Sequence, residues 1–228
     1  MVANNIIYLA TIWIIPVIVA VTFHEAAHGF VAHLLGDDTA WRLGRVSFNP
    51  LKHIDPVGTV LLPGILLLAR SPFLFGYAKP VPVNFRALRS PRRDMVLVAA
   101  AGPAMNIALA IVAALAFHVA GYLPWTGAQW LADNLRNALL LNVVLAVFNM
   151  FPLPPLDGGR ILVGILPKAL AAPIARLEPY GLVILIGVFI VLPMLGARLG
   201  VDLSVVSRVL AVSTDAIINA IIHLTGNG

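Results

Sequence analysis

The first apolar segment, residues 6–35, constrains the fold more than any other part of this chain. Nearly every residue in it is apolar, and Glu25 is its only acidic side chain. A hydrocarbon core about 30 Å thick needs roughly 20 apolar residues to cross it as a helix. We therefore expect a membrane-spanning helix, because lipid offers no partners to free backbone N–H and C=O groups.

Three ionisable side chains lie close together in that helix: His24, Glu25 and His28. The two histidines are four residues apart, so on a helix they share one face and can present two imidazoles to one metal ion. Glu25 points about 100° round the same turn, close enough to reach a water on that metal. Ionisable groups are costly inside a membrane, which indicates a functional role here.

Composition supports an integral membrane protein. Hydrophobic residues make up 60% of the 228 positions and charged residues only 11%, against about 25% charged in a typical soluble domain. The absence of cysteine excludes disulfides and leaves His, Asp and Glu to hold any zinc. We interpret the net charge of +5 as membrane topology and expect no nucleic-acid partner, since the basic residues flank apolar spans.

The apolar pattern predicts an all-α polytopic membrane protein with about five to six membrane segments, forming a single domain over residues 1–228. Its catalytic core covers about residues 5–165 and its C-terminal helices about 180–225. The last apolar stretch, 203–224, either crosses the membrane or lies along its interface.

A short β-hairpin or a re-entrant element is expected after the first helix. Residues 41–48 alternate imperfectly and could form an edge strand. Residues 58–75 are apolar but interrupted by Pro63-Gly64, and basic residues stand on both sides of them. A full crossing would separate those basic groups, whereas a re-entrant hairpin keeps both in the cytoplasm, so we favour re-entry.

A third candidate ligand, Asp157, follows the span at 139–151. Three prolines precede it (Pro152, Pro154 and Pro155) and break the helix, and Gly158-Gly159 follow it. Irregular backbone at membrane depth is tolerated only where it is buried or lines a cavity. The alternative is an ordinary Asp-Gly-Gly turn at the membrane surface.

Charge counting predicts that the two histidines and Asp157 lie at a similar depth in the membrane. With the N-terminus outside, the first span runs inward, 95–120 runs outward and 139–151 returns. His24, His28 and Asp157 would then all lie in the cytoplasmic half.

These three residues form the predicted site for one zinc ion per chain. Catalytic zinc takes three protein ligands and leaves one position for water. Glu25 is the candidate catalytic residue, a general base for peptide hydrolysis. Asn106 is a polar group in an apolar span and needs a partner.

Two motifs carry a resemblance to a known family. His24-Glu25-x-x-His28 and Asn149-x-x-Pro152-x-Pro154-x-x-Asp157-Gly158 resemble the site-2 protease family of intramembrane zinc metalloproteases. The loops at 48–59 and 78–84 resemble its compact prokaryotic branch, without PDZ or CBS domains.

The resemblance implies zinc at His24, His28 and Asp157, with Glu25 as general base, and a substrate-holding role for Asn149. We place Asn106 with Asn149 as a candidate substrate-binding residue. The implied substrates are transmembrane helices of other proteins, cut within the bilayer in regulated intramembrane proteolysis. The implied location is a prokaryotic plasma membrane, and a homo-oligomer is left open.

Two other functions remain as alternatives. A membrane metal transporter could use the same His and Asp residues as a transient site, and would tolerate Glu25→Gln. A proteolytically silent scaffold could retain the site without using it.

Overall fold

The computed structural model describes residues 6–61, 65 and 78–228, and this part of the chain is a bundle of helices. Its α-helices, in chain order, are α1 (Ile6–Leu34), α2 (Thr39–Arg42), α3 (Pro91–Ala120), α4 (Trp125–Asn149), α5 (Asp157–Ile165), α6 (Lys168–Ala175), α7 (Gly181–Ile186), α8 (Leu192–Leu199) and α9 (Val205–Leu224). Short 3-10 helices cover Pro50–His53 and Glu178–Tyr180, and π-helical turns cover Pro56–Leu61 and Gly187–Val191.

Five helical stretches of the described chain are long and apolar enough to cross a membrane. They are α1, α3, Gly127–Asn149 within α4, the composite stretch Lys168–Leu199, and α9. Large apolar side chains such as Val112 and Val183 are exposed on these helices, as expected for surfaces that face lipid. The prediction of an all-α polytopic membrane protein is confirmed.

The predicted edge strand at residues 41–48 is wrong, and the described residues contain no strand or β-hairpin. The chain instead forms α2 and a turn, in which Arg45 N–H donates to Ala40 C=O at 2.9 Å. Gly44 has a φ of 61°, a left-handed conformation that ends any extended run. The polar backbone groups are thus satisfied locally. Of the predicted re-entrant segment 58–75, nearly everything after residue 61 lies outside the described residues.

Helix α3 is central to the bundle and packs against α1, α4 and α5. Its C-terminal half forms a dry core with α4 and α9, built on Ala110, Ala114, Leu139, Val143 and Ile221. Small alanines allow helix backbones to approach closely where lipid provides no hydrophobic drive for association. The N-terminal half of α3 faces the polar residues of α1 instead.

Substituting leucine for Ala114 should destabilise the bundle, because Ala114 is 1% exposed in that core and has no room for a larger side chain. We expect the free energy of unfolding to fall by about 1–3 kcal/mol, a typical cost of overpacking. Ala108, exposed on the same helix, gives the matched control Ala108→Leu. Unfolding in mixed micelles measures both, and equal losses would contradict the packing described here.

Candidate metal centre

Helix α1 turns His24 and His28 toward α3 and α5, and both imidazoles are buried. Their Nε2 atoms are 3.1 Å apart. Asp157, the first residue of α5, places Oδ2 at 3.2 Å from His24 Nε2 and 3.4 Å from His28 Nε2. The structure therefore brings together three predicted ligands from distant parts of the chain.

The protonation of the two rings can be inferred from their other nitrogens. His24 Nδ1 lies 2.6 Å from Asn106 Oδ1, and His28 Nδ1 lies 2.7 Å from the Val98 carbonyl oxygen. Because both partners are acceptors, each Nδ1 carries a proton and donates it. In this tautomer a neutral ring presents an unprotonated Nε2 to Asp157, as a metal ligand requires.

Three acceptor atoms thus converge, and Asp157 Oδ2 is buried with no hydrogen-bond donor in the described chain. Acceptors so close together require a cation or a shared proton between them. In a tetrahedral zinc site with bonds of about 2.0–2.2 Å, neighbouring ligand atoms lie about 3.3–3.6 Å apart, close to the 3.1–3.4 Å between these three atoms. The observed spacings and the imidazole and carboxylate donors therefore fit a zinc ion.

Gly102 allows α3 to pass directly beside the imidazoles. A Cβ at this position would lie 2.4 Å from His28 Nε2 and 2.6 Å from His24 Nε2. No side chain can occupy that space without moving the histidines. Gly102 is thus part of the wall of the centre.

Asp157 owes its position to a tight turn before α5. A Cβ on Gly158 would lie 2.2 Å from the Met150 carbonyl oxygen, so the first turn of α5 packs against the backbone that leaves α4. A carboxylate in the first turn also interacts favourably with the helix dipole. The prediction that Asp157 follows a broken helix and faces the interior agrees with this geometry.

Asn106 is fully buried behind His24 and links three helices. Its Nδ2 donates to Asn142 Oδ1 at 2.8 Å and to Ala20 C=O at 3.3 Å, which leaves Oδ1 to accept from His24. Asn142 Nδ2 in turn donates to Ala138 C=O at 2.8 Å. Sequence reasoning missed Asn142, although an amide in an apolar span was the signal that singled out Asn106.

Glu25 and Asn149 line one cavity of about 470 Å³ together with the three candidate ligands. Glu25 Oε2 accepts a hydrogen bond of 2.8 Å from Val81 N–H. Asn149 Nδ2 donates to Leu145 C=O at 3.0 Å within α4. Asn106 is the one predicted site residue that does not line this cavity.

The segment that carries Val81 is held at both ends. Arg45 Nη2 donates to Lys79 C=O at 2.8 Å, and Asn84 N–H donates to Asp37 Oδ2 at 2.6 Å. Asp37 is fully buried just after α1. The sequence had offered no signal for these anchors, because each joins the segment 78–84 to a residue 34 or 47 positions earlier in the chain.

Comparison with known proteins identifies the family. Residues 127–194 match the family model described as peptidase family M50. Over 184 residues the chain is 40% identical to "Putative zinc metalloprotease YwhC" of Bacillus subtilis (strain 168), covering 78% of this chain and 79% of that protein. The chain belongs to peptidase family M50.

Other M50 relatives are more distant. "Putative zinc metalloprotease Rip2" of Mycobacterium tuberculosis (strain ATCC 25618 / H37Rv) is 30% identical over 203 residues, covering 85% of this chain and 74% of that protein. The protein of the same name from Mycolicibacterium smegmatis is 29% identical over 175 residues, covering 74% and 62%. No solved structure matches the chain. Membership of M50 confirms the resemblance to site-2 proteases and supports a membrane metalloprotease.

Replacing Gly102 with alanine should impair metal binding, since the new methyl group would displace both imidazole Nε2 atoms. We expect purified Gly102→Ala to contain much less than one zinc per chain after dialysis, measured by mass spectrometry. Gly127→Ala is the matched control, because its Cβ would meet only Leu123 Cβ at 3.8 Å. Wild-type zinc content in Gly102→Ala would refute the proximity of α3 to the centre.

Proposed function

We propose that this M50 protein is an intramembrane zinc endopeptidase of the His-Glu-x-x-His type, which hydrolyses peptide bonds within or near transmembrane helices of other membrane proteins. The observation that carries the proposal is the convergence of His24 Nε2, His28 Nε2 and Asp157 Oδ2 beside the Glu25 carboxylate. Zinc bound there would act as a Lewis acid and lower the pKa of a bound water.

Glu25 serves as the general base. It is less buried than the two histidines and borders the same cavity, so it can reach both a water and a substrate. It takes a proton from the attacking water and returns it to the leaving amine. The hydrogen bond from Val81 N–H holds one carboxylate oxygen in place and leaves the other for proton transfer.

The two asparagines have different roles in this proposal. Asn149 holds the substrate backbone, because it borders the cavity and its Oδ1 has no hydrogen bond within the described chain. Asn106 positions His24, since the Asn106 amide is fully buried and its Oδ1 accepts from His24 Nδ1. This replaces direct substrate contact as the expected function of Asn106.

We further propose that the site lies in the cytoplasmic half of a prokaryotic plasma membrane. His24 is about 27 Å along α1 from Ile6, and Gly102 is about 17 Å along α3 from Pro91, at 1.5 Å per residue. The nearer helix ends adjoin residues 86–93, which contain four arginines. The opposite connection, 121–124, and the start of α4 up to residue 134 have no Lys or Arg. The positive-inside rule assigns the arginine-rich side to the cytoplasm.

Glu25→Gln should separate catalysis from metal binding. We expect the variant to keep its zinc, because Glu25 is not among the converging ligand atoms. Loss of a general base should lower cleavage by about 10²–10⁴-fold. The assay is cleavage of a fluorescent transmembrane substrate by purified protein in micelles, with and without a chelator. Full cleavage by Glu25→Gln would refute the protease mechanism, and metal flux retained in proteoliposomes would favour the transporter.

Asn106→Ala should weaken zinc binding, since the partner that orients His24 is lost. Removing such a partner typically costs about 10–100-fold in metal affinity. Competition with a calibrated chelator measures the dissociation constant. Asn137→Ala is the control, because Asn137 Nδ2 also donates to an α1 carbonyl, that of Ile12, but far from the centre. Equal affinities for both variants would contradict a positioning role.

A further inference from the structure

Arg160 is the one Lys or Arg side chain lining the catalytic cavity in the described part of the chain. It follows Asp157 by three residues on α5, so the two side chains share one helix face. The neighbouring acidic groups of the cavity are Asp157 and Glu25. The cavity therefore has two carboxylates and one guanidinium in its lining.

The guanidinium is only partly satisfied by its neighbours. Arg160 Nη2 pairs with Glu178 Oε1 at 3.1 Å, and its Cζ lies 5.7 Å from the centre of the Phe85 ring. Arg160 Nε is buried without a hydrogen-bond partner among the described residues. An arginine has five N–H donors in a planar fork, so several remain for another acceptor.

The ion pair with Glu178 leaves N–H groups of Arg160 available to another acceptor. The Glu178 side chain is 48% exposed, and it meets the guanidinium through one pair of atoms, Oε1 and Nη2. A carboxylate that entered the cavity could accept two parallel N–H groups from the fork, which is the strongest geometry for this pair. The Arg160 side chain is 35% exposed, but its Nε is buried without an acceptor, and a carboxylate bound there would satisfy that N–H group.

We propose that Arg160 is a specificity-determining residue that binds an acidic side chain of the substrate close to the scissile bond. The proposal rests on the protease function proposed above. Side chains three residues apart on a helix have Cβ atoms about 5–6 Å apart, and an extended substrate advances about 3.3 Å per residue. The carboxylate should therefore lie within about four residues of the cleaved bond.

A purely structural role predicts a different result. Arg160 connects α5 to Glu178 and to Phe85, so its loss could loosen the cavity as a whole. That loss would affect acidic and neutral substrates equally. A specificity role instead predicts that loss of Arg160 changes the ratio of acidic to neutral substrate binding.

The experiment uses one transmembrane peptide that carries Glu, or Gln in its place, at each of four positions on either side of the scissile bond. Binding is measured on the full-length Glu25→Gln protein, in which cleavage should be slow, and cleavage on the protein with Glu25 intact. At one position we expect Glu to be preferred over Gln by about tenfold or more, as for hydrogen bonds between charged groups. Arg160→Gln should reduce that ratio to about one while Gln peptides bind as before.

Charge reversal and matched controls sharpen the test. Arg160→Glu should prefer Lys at the selected position, and Arg160→Lys should keep part of the Glu preference. Glu178→Gln should increase the preference, because a competing carboxylate is removed. Arg176→Gln removes an exposed arginine at the end of α6 that does not line the cavity, and should keep the wild-type ratio.

The outcomes separate this inference from the proposed function. Equal binding of Glu and Gln peptides at every position, or an equal loss of both in Arg160→Gln, would overturn the role of Arg160. Selective Glu binding without any cleavage by the protein with intact Glu25 would refute the protease function and leave the carboxylate site standing.

Discussion

The structure depends on three hydrogen-bond acceptors that meet inside an apolar bundle. His24 Nε2, His28 Nε2 and Asp157 Oδ2 lie within 3.4 Å of one another, with no donor among the described residues to separate them. Such an arrangement is unfavourable in a low-dielectric interior unless a cation or a shared proton joins the group. The bundle around the centre serves to hold these atoms in place, and a metal ion would convert the repulsion into stability.

Small and polar residues hold these three atoms in place, whereas the rest of the bundle is packed with apolar residues. Gly102 lets α3 approach the imidazoles, and the chain of amides from Asn142 through Asn106 fixes the ring of His24. Buried amides need every hydrogen bond satisfied, so the hydrogen bonds of Asn142 and Asn106 also set how α1, α3 and α4 face one another. Around the C-terminal half of α3, by contrast, close packing of alanines against α4 and α9 is sufficient.

Sequence patterns singled out the three residues that converge and little of what positions them. The spacing of the two histidines predicted that they share one helix face, because helical periodicity is local. Charge counting predicted that Asp157 lies at their depth, because the charges that flank each span indicate the membrane topology. The edge strand at residues 41–48 was wrong, because turn formation around Gly44 satisfied the backbone locally. Imperfect alternation over so few residues could not distinguish these outcomes.

The sequence by itself determined that this chain crosses a membrane by helices and carries a His-Glu-x-x-His motif within the first of them. Hydrophobic length and helical periodicity are properties of one segment, so they need no neighbour to be recognised. Only the tertiary structure decided that Asn106 lies behind His24, that Val81 binds Glu25 and that Arg160 enters the cavity. Each of these contacts joins segments distant in sequence, and their meeting depends on how whole helices rotate and pack against one another.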